Sequence, residues 1–65
     1  MNWDQIAGNW KQMRGKLVEK WGDITDDDWD RAEGKREQIV GLVQAKYGRT
    51  KEDAEREVDT WFDNQ

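Results

Sequence analysis

Apolar residues in the first third of the chain recur at alternating intervals of three and four positions. They are Trp3, Ile6, Trp10, Met13, Leu17, Trp21 and Ile24. This spacing places them on one side of an α-helix and predicts an amphipathic helix over 3–21. Gly22 follows the last aromatic residue of that helix and is predicted to end it with a positive φ. Gly8 is predicted to kink the same helix.

The same pattern returns twice further along the chain. The middle stripe consists of Trp29, Ala32, Ile39, Val40, Val43 and Tyr47, and the last stripe consists of Ala54, Val58, Trp61 and Phe62. These stripes predict helices over 26–47 and 51–63. Gly34 is predicted to break the first of these into 26–33 and 35–47.

An offset of 26 residues aligns the first part of the chain with the second. The aligned pairs include Trp3 with Trp29, Gly8 with Gly34, Gly15 with Gly41, and Gly22 with Gly48. An internal repeat indicates a structural unit that is used more than once. We therefore predict a single domain over 1–65 with repeat units 3–28 and 29–54. The predicted fold is an all-α four-helix bundle of two helical hairpins around a pseudo-twofold axis. Its predicted buried residues are Trp10, Leu17, Trp21, Ile39, Val43 and Tyr47, with Trp61 closing the core.

Composition limits the chemistry that so short a chain can perform. The 65 residues include no Cys, no His and no Ser, and 40% of them are charged. Disulfides, His/Cys zinc sites and nucleophilic triads of the Ser-His or Cys-His kind are excluded. We therefore predict a protein that is not an enzyme and needs no cofactor. Five tryptophans supply the aromatic area that a small core needs.

The chain shows no targeting or membrane signal. It opens Met1-Asn2-Trp3-Asp4, without the basic start and apolar run of a signal peptide. No apolar stretch approaches the roughly 20 residues of a membrane span. We expect a cytoplasmic protein with no membrane contact, monomeric in the first instance, with a homo-oligomer as the alternative.

The acidic run Asp26-Asp27-Asp28, with Asp30 beyond it, suggests a divalent-cation site. Consecutive helical residues point about 100° apart, so these carboxylates do not converge on one ion. The run is better explained as the first turn of a helix capped by Thr25. Thr50 is predicted to cap the last helix in the same way, and no metal site is predicted.

Charge alternates along the chain, with a basic excess over 1–22 and 34–51 and an acidic excess over 23–33 and 52–65. One interpretation is complementarity between helices of one molecule, and the other is a basic face for an anionic partner. The tryptophans and the basic residues Lys11, Arg14, Lys16, Lys20, Lys35 and Arg36 also fit single-stranded nucleic acid. A net charge of −4 and a pI of about 4.7 make nucleic acid an unlikely partner.

Four glycines, Gly8, Gly15, Gly34 and Gly41, fall inside predicted helices, where each costs about 1 kcal/mol relative to Ala. Three explanations are open: close approach of helices within the monomer, which we favour, an outer face for a partner, or deliberately soft helices. The candidate interaction face therefore comprises Gly8, Gly15, Gly34, Gly41, Lys11, Arg14, Lys35 and Arg36.

A family resemblance extends over nearly the whole chain. It is carried by Gly8-Asn9-Trp10-Lys11-Gln12, Gly15-Lys16, Glu19, Trp21-Gly22, Thr25-Asp26-Asp27-Asp28, Gly34-Lys35-Arg36, Gln38, Val40-Gly41, Tyr47-Gly48, Ala54-Glu55, Glu57-Val58 and Trp61. In these residues the chain resembles the CsbD-like family. The resemblance implies a four-helix fold and a small soluble bacterial protein of the general stress response, with no catalytic or ligand residues to transfer.

Three functional hypotheses follow from the composition, the glycines and this resemblance. The first is a non-enzymatic interaction module with an unknown protein partner. The second is a hydrophilic protectant without a specific partner, which suits a mean hydropathy of −1.31. The third is a weak nucleic-acid-associated protein.

Overall fold

The computed structural model describes residues 2–65, and this part of the chain contains helices and no strand. The helices are α1 (Trp3–Gly8), α2 (Trp10–Lys20), α3 (Asp26–Ala32), α4 (Arg36–Tyr47) and α5 (Lys51–Asp63). Each helix packs on the next one along the chain, and α4 with α5 forms the most extensive pair. The all-α prediction is confirmed, but the described chain forms five helices where we predicted four.

The fifth helix results from a kink in the predicted helix 3–21. Asn9, directly after Gly8, has φ −108° and ψ 23°, which separates α1 from α2. The Asn9 N–H still donates to the carbonyl oxygens of Gln5 and Ile6, at 3.1 and 3.2 Å. The path of the backbone is therefore bent rather than interrupted, as the glycine at position 8 predicted.

Side chains cap three of the helices. Thr50 Oγ1 accepts from the N–H of Asp53 at 3.1 Å. Thr25 Oγ1 accepts from the N–H of Asp28 at 3.3 Å and donates to its carboxylate at 3.1 Å. Both predicted caps are confirmed, and Asn2 Oδ1 adds a third cap that accepts from Gln5 N–H at 2.8 Å. These contacts satisfy amide groups that a helix start leaves without partners.

The break between α3 and α4 occurs at Gly34, as predicted, and it brings this turn against α1. Glu33 has φ 52° and Gly34 has φ 76°, both in the left-handed region. A Cβ added to Gly34 would stand 2.7 Å from the Cα of Ala7. Glycine is therefore required here twice, by its backbone conformation and by the close approach of α1.

Among residues 2–65, the core contains fourteen buried apolar residues, which come from every helix and from the turn after α2. The burial prediction is confirmed for Trp10, Leu17, Trp21, Ile39 and Val43, and it is wrong for Tyr47 and Trp61, which are only partly buried. Phe62, which is 2% exposed, is the aromatic residue that α5 buries. The reason is the geometry of α5: Phe62 continues the line of Ala54 and Val58, whereas Trp61 points about 100° away from Phe62.

The sequence repeat remains a prediction, because the helix bounds agree with it only in part and the glycines do not. α2 and α4 begin 26 residues apart, in agreement with the offset, but α1 and α3 begin 23 residues apart. Gly8 lies in α1 and is exposed, whereas its counterpart Gly34 lies in a turn and is buried. Gly48 ends α4 with φ 65°, but Gly22 has no positive φ, so that prediction is wrong. Instead, α2 ends before Gly22: Trp21 has φ −121° and ψ 74°, and the Ile24 N–H donates to the Trp21 carbonyl oxygen at 3.0 Å. The bundle of two superposable hairpins remains a prediction.

Candidate interaction surface

Two of the four predicted basic residues form ion pairs within the molecule. Arg14 of α2 pairs with Asp30 of α3. Arg36 of α4 binds the carboxylate of Asp59 of α5 through two bonds of 2.8 Å and reaches Glu55 at 3.3 Å. These contacts support charge complementarity between neighbouring helices and engage Arg14 and Arg36 within the molecule, while the interaction face itself remains a prediction.

The Arg36–Asp59 pair makes stability depend on pH. Hydrogen bonds from the Arg36 guanidinium hold the pKa of the Asp59 carboxyl below its ordinary value, and partial burial opposes this shift. Because the folded-state pKa lies below the unfolded value of about 3.9, the contribution is complete above that pH. It disappears as the pH falls through the folded-state pKa.

We predict that Asp59→Asn lowers the free energy of unfolding at neutral pH by about 0.5 to 1 kcal/mol, because solvent screens a carboxylate that is 45% exposed. The difference from wild type should be constant down to about pH 5 and should vanish in stronger acid. Urea unfolding at a series of pH values measures this difference. Asp63→Asn on the exposed side of α5 is the control. A gap that persisted undiminished at low pH would contradict the assignment.

Gly8, Gly15 and Gly41 face open space. A Cβ added to any of them would meet no atom within 4 Å outside the local helix backbone. Our favoured explanation, close approach of helices within the monomer, is therefore wrong at these three positions. It holds for Gly34 alone, whose side of the turn touches Ala7. These helical glycines therefore do not serve close packing between helices of this fold.

We predict that Gly15→Ala and Gly41→Ala each raise the free energy of unfolding by about 1 kcal/mol, the difference in helix propensity between the two residues. Thermal melting followed by circular dichroism measures this effect. This expectation reverses the one that close packing implies, since overpacking would cost about 1–3 kcal/mol. A lower melting temperature in both variants would show that a neighbouring element touches these positions.

The other residues of the predicted interaction face lie on different helices. Lys11 and Gly15 are four residues apart on an exposed side of α2, and Gly8 is exposed at the end of α1, before the kink at Asn9. Gly41 is exposed on α4, and Lys35 is exposed at the start of that helix. Over residues 2–65, neither Lys11 nor Lys35 has a carboxylate oxygen within ion-pair distance.

Sequence reasoning missed another surface, at the end of α5. The partly exposed Trp61 lies between two shallow grooves of about 460 and 440 Å³. Both grooves are also lined by Lys20 of α2, the first by Arg56 and the second by Lys16. We call Trp61, Lys16, Lys20 and Arg56 the Trp61 patch. The available signal was the position of Trp61 beside, rather than on, the line of Ala54, Val58 and Phe62.

Residues 4–56 match the model of the CsbD-like family. This chain belongs to the CsbD-like family. The YjbJ protein of Escherichia coli O6:H1 is 56% identical over 61 residues, which cover 94% of this chain and 88% of YjbJ. A relative from Pectobacterium atrosepticum is 56% identical over 98% of this chain and 93% of its own length. A Bordetella pertussis relative is 52% identical over 97% and 96%.

Membership of the CsbD-like family assigns the chain to a family of general stress-response proteins. In this CsbD-like structure, Asp28 serves the helix start: it pairs with Arg31 and Lys46 and accepts from Thr25. The hydrogen bond from Arg31 is the main reason that the pKa of Asp28 lies below its ordinary value. Within residues 2–65, no three potential ligands gather as a metal site requires, and no helix could span a membrane.

Proposed function

We propose that this CsbD-like protein is a non-enzymatic interaction module of the general stress response, acting in the cytoplasm as a monomer that binds a protein partner. One observation carries the proposal: Gly15 and Gly41 lie inside α2 and α4, Gly8 ends α1, and all three face open space. Gly15 and Gly41 each cost about 1 kcal/mol in a domain whose total stability is about 3 to 10 kcal/mol. Close packing within residues 2–65 does not account for that cost, whereas a bare helix face allows another backbone to approach closely.

The alternative is a hydrophilic protectant whose helices are soft by composition. This alternative is supported by the same glycines, which weaken helices, and by the charged residues, which make up 40% of the chain. The two functions differ in what a substitution at an open glycine should do. A partner surface is obstructed by a side chain, whereas a protectant without a partner keeps its effect.

Gly15→Gln tests this difference, because Gln is a good helix former and position 15 has open space for it. Tagged wild type and variant are expressed in stressed cells, cross-linked and purified, and the captured proteins are quantified. We expect one stoichiometric partner with wild type and a loss of at least tenfold with the variant at equal abundance. Glu52→Gln, on the exposed side of α5, is the control.

Two results would overturn the proposal. One is the absence of a stoichiometric partner, combined with equal protection of a test enzyme against freezing by wild type and Gly15→Gln, which would establish the protectant. The other is recovery of nucleic acid as the cross-linked species, with binding that falls steeply as salt is raised. In that case the third hypothesis replaces the first.

A further inference from the structure

The first helix, α1, is attached to the rest of the molecule differently from the other helices. Each later pair of consecutive helices is joined by an ion pair: Arg14–Asp30, Lys46–Asp28 and Arg36–Asp59. Within residues 2–65, α1 forms neither an ion pair nor a side-chain hydrogen bond with another helix. Asp4, the one charged residue of α1, is exposed. Apolar contacts therefore hold α1 in place.

These apolar contacts occur at three places along α1. The side chain of Ile6 is fully buried, and the ring of Trp3 packs on that of Phe62 with centroids 4.8 Å apart. The backbone of Ala7 lies so close to Gly34 that a side chain at Gly34 would clash with it. The other helices thus provide a fitted site for α1, and α1 in turn helps to cover Phe62.

The chain bends between α1 and α2 at Asn9, whose φ of −108° and ψ of 23° are not helical. The Asn9 side chain does not cap α2, in contrast to the residues that precede α1, α3 and α5. Beyond the bend, Trp10 is fixed, because its Nε1 donates to the Trp29 carbonyl oxygen at 2.7 Å. Before the bend, Gly8 has open space around it. A movement of α1 therefore turns about Gly8 and Asn9 and ends at Trp10.

The remaining helices keep most of the core when α1 moves away. Of the fourteen buried apolar residues in the described chain, α1 contributes only Ile6. The packed rings of Trp10, Trp21 and Trp29 lie outside α1. A helix of six residues, by contrast, is not stable alone in water. Once separated from the core, α1 therefore loses its helical hydrogen bonds, which makes its opening measurable.

We propose that α1 is a strap that opens as one unit about Gly8 and Asn9 while α2–α5 stay folded. Opening exposes Ile6 and the side of Phe62 that α1 covers, so that a hydrophilic molecule presents apolar surface beside Gly34. The strap thereby regulates access to this part of the core. The inference goes beyond the proposed function and does not depend on it, because a protectant without a partner would have the same two forms.

Native-state hydrogen exchange of the full chain, followed by nuclear magnetic resonance, tests the opening. The N–H groups of Ile6 and Asn9 report on α1, since they donate to the carbonyl oxygens of Asn2 and Gln5, both at 3.1 Å. The N–H group of Val43, which is buried in α4, reports on the remaining helices. We expect equal protection of Ile6 and Asn9, at least tenfold weaker than that of Val43. The values should not change with protein concentration.

Asp59→Asn distinguishes opening of α1 from global unfolding, because the Arg36–Asp59 ion pair does not involve α1. It should accelerate exchange at Val43 about two- to fivefold and leave Ile6 and Asn9 unchanged. Asp63→Asn is the matched control and should change neither. Ile6→Ala weakens closure directly. It should reduce the protection of Asn9 at least tenfold while circular dichroism still shows the helices of α2–α5.

Four results would overturn the strap. Equal protection at Asn9 and Val43 would show one cooperative unit, and protection that rises steadily from Ile6 to Asn9 would show fraying of the terminus. Loss of helix throughout the chain in Ile6→Ala would show that α2–α5 need α1. Slower exchange in α1 at higher protein concentration would show that a second copy holds it. All four measurements use the purified chain, so they are separate from capture of a partner in cells, which tests the proposed function.

Discussion

Trp29→Ala is expected to leave the protein largely unfolded at room temperature. Trp29 is fully buried, and its ring packs against those of Trp10 and Trp21 with centroids 6.2 and 5.9 Å away. Truncating a buried Trp costs about 3–5 kcal/mol, a large part of the roughly 3 to 10 kcal/mol that a domain of this size possesses. Far-ultraviolet circular dichroism and thermal melting measure the loss of helix.

Two companion variants make this result specific. Trp61→Ala truncates a partly exposed ring and should keep native helicity with a lower melting temperature. Trp29→Phe should cost much less than Trp29→Ala, because Trp29 Nε1 is buried without an acceptor within residues 2–65 and its removal relieves a penalty of about 1–3 kcal/mol. Native helicity and an unchanged melting temperature in Trp29→Ala would refute the central position of this residue.

Gly34→Ala is expected to lower the free energy of unfolding by about 2 to 5 kcal/mol, the opposite sign to Gly15→Ala. A side chain at φ 76° costs about 1–2 kcal/mol. The added Cβ would also stand 2.7 Å from the Cα of Ala7, and such overpacking costs about 1–3 kcal/mol more. Because the clash is with backbone, no side-chain rotation relieves it.

Gly48→Ala is the matched control for Gly34→Ala. Gly48 has φ 65°, but a Cβ there would meet no atom within 4 Å outside its immediate surroundings. It should therefore show the conformational cost alone, and urea unfolding of both variants isolates the contribution of the contact with Ala7. Equal losses in the two variants would mean that α1 moves away from the turn at little cost.

The helix starts could be predicted from the local sequence. A threonine followed by acidic residues predicted the starts of α3 and α5, because capping involves atoms only three residues apart. The kink at Gly8 and the break at Gly34 were predicted for the same kind of reason. Gly22 was mispredicted because α2 ends before it, at Trp21, whose φ of −121° and ψ of 74° are not helical.

At the candidate site, by contrast, the local sequence did not predict which basic residues form ion pairs. Arg14 and Arg36 resemble Lys11 and Lys35 in the sequence, yet the first two pair with carboxylates of the following helix and the other two face solvent. Whether a basic side chain reaches a carboxylate of the next helix depends on how the two helices are rotated about their axes. Periodicity describes one helix at a time and contains no such information.

The sequence by itself determined the helical class, the helix ends that local contacts specify, most of the core stripe and the resemblance to the CsbD-like family. These features depend on contacts within a few residues or on matching identities. Only the tertiary structure decided that Gly34 touches Ala7 while Gly15 and Gly41 face open space, and that Arg14 and Arg36 form ion pairs between helices. Residues with the same helical spacing differ only in their contacts with neighbouring helices. Those contacts depend on packing between elements that are distant in the chain.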